Sequence, residues 1–63
     1  MELLGLDISE NIYANLYGYD YVINKAETHI YYVDGWYEIQ EDIEGEPYII
    51  FEDDAVYFEI LEV

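Results

Sequence analysis

Sixteen Asp and Glu residues stand against one lysine and no arginine in a chain of 63 residues, and that imbalance limits what the chain can fold into. The formal net charge is −15, so Lys25 and a protonated His29 are the only side chains able to pair with a carboxylate. Two unit charges ~7 Å apart repel by about 0.6 kcal/mol in bulk water and about 2 kcal/mol at an effective dielectric of 20. Summed over a small surface, that repulsion opposes compaction. A folded form must therefore keep its acids outside and draw its cohesion from packing alone. There is no cysteine, hence no disulfide and no thiolate metal site. Cores of this size typically contribute only ~3–5 kcal/mol net, which makes a homodimer one expected outcome.

Acidic chains that stay disordered are poor in aromatic and β-branched residues. This one holds nine tyrosines, two phenylalanines and one tryptophan and is rich in isoleucine, so it is expected to fold, as a single domain over 1–63. Met1-Glu2-Leu3-Leu4-Gly5 lacks the basic start and long apolar stretch of a secretory signal. No apolar run approaches the ~20 residues of a membrane span, and an anionic surface repels acidic head groups. The expectation is a soluble, cytoplasmic protein with no membrane partner. Direct binding to nucleic acid is excluded by the same repulsion, since phosphates are anionic too.

Asp7 and Glu10 stand three apart in capping-box spacing; Ile8, Ile12 and Leu16 then recur every four residues, and Gly18 sits where a helix would stop. This pattern predicts a short helix over 8–17. From Tyr19 the period becomes two, with Tyr19, Tyr21 and Ile23 on one side of a first strand. Asp34-Gly35 reads as a two-residue hairpin turn, pairing Val33 with Trp36, Tyr32 with Tyr37 and Ile30 with Ile39. One face then carries Ile30, Tyr32, Tyr37 and Ile39; the other carries His29, Tyr31, Val33, Trp36, Glu38 and Gln40. Glu44-Gly45-Glu46-Pro47 marks the next turn, Tyr48 to Glu52 a third strand, Asp53-Asp54 another turn and Ala55 to Val63 a last strand. The predicted fold class is α+β: one short N-terminal helix packed on a four-stranded antiparallel meander.

Catalysis is poorly served by this composition. A Ser9–His29–acid triad is arithmetically available, but Ser9 falls at the predicted helix start and so small a fold has little room to shelter a cleft. No cofactor is implied. An EF-hand register with Gly45 at its sixth position puts Gln40, Asp42 and Glu44 first, third and fifth but Phe51, not an acid, at the twelfth. Glu52 misses by one residue, which on a strand turns it to the opposite face. No dedicated metal site is therefore expected.

What remains is an acid–aromatic surface made of Glu38, Glu41, Asp42, Glu44, Glu46, Glu52, Asp53, Asp54 and Glu59, with Tyr31 and Trp36 between them. Residues two apart on one strand face lie about 6.6 Å apart, close to the step between successive phosphates, so an acid-edged sheet can present a phosphate-like row. Tyr and Trp rings stack on guanidinium groups as bases do and are frequent interface anchors. A basic nucleic-acid-binding groove offers the complementary surface. A solvated face that guards β edges is the competing reading of these acids, but lysine serves that purpose equally well, so it predicts mixed charge.

Very small size, extreme acidity, abundant tyrosine and absent cysteine together resemble the phage and plasmid proteins that imitate DNA: anti-CRISPR proteins, anti-restriction proteins and inhibitors of uracil-DNA glycosylase. The resemblance spans the whole chain in composition and rests on no diagnostic motif. It implies a phage- or plasmid-encoded stoichiometric inhibitor, without chemistry of its own, that fills the DNA-binding groove of a bacterial defence protein. CRISPR effector nucleases, whose PAM-reading surfaces use arginines, are the target class it favours. Two other classes stay open at this point: an antitoxin or immunity protein that neutralises a basic toxin, and a structural protein that self-associates through its Tyr/Trp face.

Overall fold

The computed structural model describes all 63 residues and contains strands and turns but no helix. In chain order the strands are β1 (Glu2–Leu3), β2 (Leu6–Leu16), β3 (Tyr19–Asn24), β4 (His29–Tyr32), β5 (Gly35–Glu38), β6 (Gln40–Glu41), β7 (Pro47–Phe51), β8 (Asp54–Tyr57) and β9 (Glu59–Glu62). One sheet runs β1-β2-β3-β4-β5 with β9 added to β2; β6-β7-β8 form a second. All neighbours are antiparallel. The sheets curl into a half-barrel around Ala14, Leu16, Ile23, Ile30, Ile49 and Phe58, with Ile12, Tyr21, Tyr32, Tyr37, Ile39, Phe51 and Val56 packed against them. Phe58 sits at the break where the chain leaves the second sheet and re-enters the first.

The α+β expectation is thus corrected to all-β, and the helix over 8–17 is replaced by the longest strand. The physical reason lies in the spacing itself. A repeat of four suits a helix, but four is also a multiple of two, so Ile12 and Leu16 share a strand face with Ala14, and that face enters the core. Ile, Tyr and Asn, which fill the segment, are also indifferent helix formers. Ser9 does bond ahead as a cap would: its hydroxyl accepts from the amides of Asn11 (3.3 Å) and Ile12 (3.2 Å). Here it satisfies donors where the β2–β3 register shifts between Ile8 and Tyr13, so it serves a bulge.

The predicted four-stranded meander fails as well, because the tail is two strands rather than one. β8 pairs with β7, whereas β9 returns to β2 with Tyr13 opposite Leu61 and Asn15 opposite Glu59. The β4–β5 hairpin keeps the predicted faces but not the predicted pairs. Tyr32 lies opposite Gly35, Tyr31 opposite Trp36 and Ile30 opposite Tyr37, so the loop is Val33-Asp34 rather than Asp34-Gly35. The displacement is two residues, which preserves side-chain parity. Ile30, Tyr32, Tyr37 and Ile39 consequently all reach the core.

Four hairpins have two-residue loops, and each opens with a non-glycine residue at positive φ. Leu4-Gly5 (46°, 88°), Tyr17-Gly18 (51°, 88°) and Glu52-Asp53 (51°, 68°) are positive at both positions, the type I′ pattern, and Val33 is at 54°. Gly5 and Gly18 adopt this conformation freely. Glu52 and Asp53 do so at a cost of roughly 1–2 kcal/mol for each L-residue, with Asp54 adding a third adjacent charge. The pair Glu52→Asn, Asp53→Gly is therefore expected to stabilise the fold by about 1–2 kcal/mol, read as a higher urea midpoint with an unchanged slope. An unmoved or lower midpoint would show that this turn stores no strain.

Candidate functional site

Every Asp and Glu except Asp42 is exposed. The turns carry much of this charge: Asp42, Glu44 and Glu46 lie between β6 and β7, and Glu52-Asp53 tip the β7–β8 hairpin. Among the other predicted site acids, Glu38, Glu41, Asp54 and Glu59 are on four different strands. The expected phosphate-like row along one strand face is thus corrected to acids distributed over several edges and turns. The cause is local: positive-φ turns and strand ends stay hydrated, whereas alternate strand positions are taken by the core.

The loop after β6 is the best-organised part of this surface. Asp42 is half-buried, and its Oδ1 accepts from the amides of Glu44 and Glu46, each at 2.9 Å. Its own amide donates to the Glu46 carbonyl at 3.1 Å, and the Gly45 amide donates to the Asp42 carbonyl at 3.0 Å. The Glu46 amide, aided by that of Glu44 and by the facing Tyr57 hydroxyl, holds the Asp42 carboxyl below its usual range despite an opposing contribution from burial. Partial burial and then Asp42 push the Tyr57 phenol up. Asp42 is therefore the organiser of the turn, and Glu44 and Glu46 are what it displays. No group of three or more His, Asp or Glu side chains is arranged to hold a metal ion.

Tyr57 belongs to a tyrosine platform that composition alone did not single out. Tyr48 and Tyr57 lie opposite each other across β7 and β8 with ring centroids 5.3 Å apart. Beside them Glu46, Glu59, Tyr17 and Asn15 line a shallow depression. The β7 alternation held the signal: with Ile49 and Phe51 inward, Tyr48 had to face outward.

Tyr31 and Trp36 occupy a different face. They are cross-strand partners with ring centroids 5.4 Å apart, edge to face. The Trp36 indole N–H donates to the Leu3 carbonyl at 2.8 Å, and both rings are half-buried. Their expected part as stacking plates between the acids is modified accordingly: Trp36 fastens the N-terminal hairpin, and Glu38 is the predicted site acid on its strand, opposite His29.

A second tyrosine ties a carboxylate to the core. Tyr37 donates to Asp34 Oδ1 at 2.7 Å, and this bond, followed by burial, pushes its phenol from 10.0 up to about 12. A folded-state pKa above the unfolded value contributes stability that is complete below the unfolded pKa and is lost as pH rises through the folded one. Stability is thus expected to decline from 10.0 to about 12, and Tyr37→Phe should lessen the decline, leaving the shares of Tyr32 and Tyr57, whose phenols are also raised. Urea midpoints of both proteins across that range check this; identical pH profiles would contradict it.

No helix is long and apolar enough to cross a membrane. Compared with known proteins, the chain matches no family model, no curated protein and no solved structure.

Proposed function

We propose that this protein is a stoichiometric inhibitor that binds the basic nucleic-acid-binding groove of a bacterial defence protein by DNA mimicry, acting as an anti-CRISPR protein on an effector nuclease. It works in the cytoplasm of the bacterial host. The observation that carries this reading is the exposure of all the carboxylates but Asp42 in a chain with a single lysine. Such a surface creates a field of one sign that steers basic partners and repels acidic ones.

The Asp42-ordered turn fixes Glu44 and Glu46 in place before binding, which lowers the ordering cost of the complex. Tyr48 and Tyr57 supply flat, rigid surface beside them, suited to guanidinium stacking. The mechanism is occupancy: carboxylates take the positions of phosphates, and tyrosines take those of bases. Tagged protein should therefore retain a basic DNA-binding protein from a lysate containing defence nucleases, and short duplex DNA should elute it. A retained partner that duplex DNA leaves in place would contradict mimicry.

A further inference from the structure

The half-barrel is left open along one seam, between β9 and the β5–β6 segment. β9 pairs with β2 and with no other strand. The Val63 amide donates to the Asn11 carbonyl at 2.8 Å, which sets the phase of the ladder. With Tyr13 opposite Leu61 and Ile12 opposite Glu62, Leu61 and Glu59 bond towards β2. The amides and carbonyls of Ile60 and Glu62 point the other way, to the free edge.

Alongside that edge runs a trough. Ile39 and Ile60 lie in it, bordered by Glu27, Glu38 and Glu41. Glu27 also lines the adjoining depression, where Asp7, Glu10 and Glu62 outnumber Lys25. Ile60 is 44% exposed although it lies opposite fully buried Ala14. The loop carrying Glu27 is ordered by buried Asn24, whose Oδ1 accepts from the amides of Thr28 (2.8 Å) and His29 (2.7 Å). An unpaired strand edge, an apolar floor and a rim of carboxylates therefore coincide.

We infer that this seam receives an extended, cationic segment of the protein's partner, which adds to β9 as a strand. Its main chain bonds to Ile60 and Glu62. Alternate apolar side chains cover Ile39 and Ile60, while lysines or arginines between them meet the glutamates. Strand addition draws affinity from main-chain bonds and specificity from alternate side chains. Charge selects the occupant: a second copy of this chain would bring −15 against the same carboxylates. The inference rests on the proposed function only for the basicity of the partner.

The probe is a capped peptide alternating lysine and valine, as long as β9, with a control of the same composition in two blocks. The alternating peptide should bind more tightly and slow hydrogen exchange at the Ile60 and Glu62 amides. Glu62→Pro removes an outward N–H and no β2 ladder bond, so it should fold yet bind the peptide about tenfold more weakly than Glu62→Gln, which loses the same charge but keeps the N–H. Unchanged exchange at those two amides, equal binding of both peptides, or wild-type binding by a folded Glu62→Pro variant would each overturn the inference. Should the proline variant not fold, the exchange measurement on the wild type decides alone. A DNA-displaceable partner whose complex leaves both amides unprotected would sink the seam and spare mimicry. Protection by the peptide with no DNA-displaceable partner would do the reverse.

Discussion

Ile30→Ala is expected to leave the protein largely unfolded at ambient temperature. Ile30 is fully buried, sits opposite Ile23 of β3 on one side and Tyr37 of β5 on the other, and is one of six residues in the core. Truncating a buried isoleucine costs about 2–5 kcal/mol, because the lost transfer energy is joined by a cavity the surroundings fill only in part. A core of this size contributes only ~3–5 kcal/mol net. No disulfide supports it, and the charge of −15 works against it. Ile30→Val, at roughly 0.5–1.5 kcal/mol, should remain folded with a lower urea midpoint. Circular dichroism and a urea titration of both variants read the difference. An alanine variant within about 1 kcal/mol of wild type would mean that β3, β4 and β5 do not meet at Ile30.

The second large effect concerns binding. Reversing Glu41, Glu44 and Glu46 to lysine should abolish inhibition at wild-type concentrations and weaken partner binding about a hundredfold, mostly through slower association. Asp42 is left out deliberately. Its carboxylate accepts from the Glu44 and Glu46 amides, so replacing it would unravel the turn and confuse loss of shape with loss of charge. The three chosen carboxylates are exposed, and reversing them relieves self-repulsion, so the urea midpoint should stay level or rise. A folded triple variant that inhibits as wild type does would remove this turn from the contact.

Much of the strand content was readable, and the errors have identifiable causes. Period-two alternation located β3, β4, β5 and β7, and the face shared by Ile30, Tyr32, Tyr37 and Ile39 survived a displaced turn because parity is insensitive to a shift of two. The N-terminal segment misled because a spacing of four satisfies both helix and strand. Its decisive signals are Leu4-Gly5 and Tyr17-Gly18, each a glycine closing a two-residue loop, although a glycine at position 18 equally suits a helix end. The Asp34-Gly35 and Asp53-Asp54 turns each came out one residue early, at Val33-Asp34 and Glu52-Asp53, because the structure tolerates Val33 and Glu52 at positive φ where turn preferences disfavour them. The return of β9 to β2 is a long-range pairing that no local pattern encodes.

The surface was legible in kind rather than in arrangement. Counting carboxylates foretold an anionic exterior. It did not separate Asp42, which builds a turn, from Glu44 and Glu46, which the turn presents. Nor did it show that Trp36 is held to Leu3 or that half-buried Tyr48 and exposed Tyr57 form an aromatic pair. Those distinctions depend on which side of a strand each residue faces, and hence on the register.

The most direct test of mimicry is a competition isotherm: affinity for the captured partner, measured at fixed salt over increasing concentrations of duplex DNA. Mimicry predicts that the apparent Kd rises in proportion to DNA, with a limit set by the partner's own affinity for that DNA. An apparent Kd that does not move while DNA saturates the partner would contradict it, since both ligands would then be bound at once.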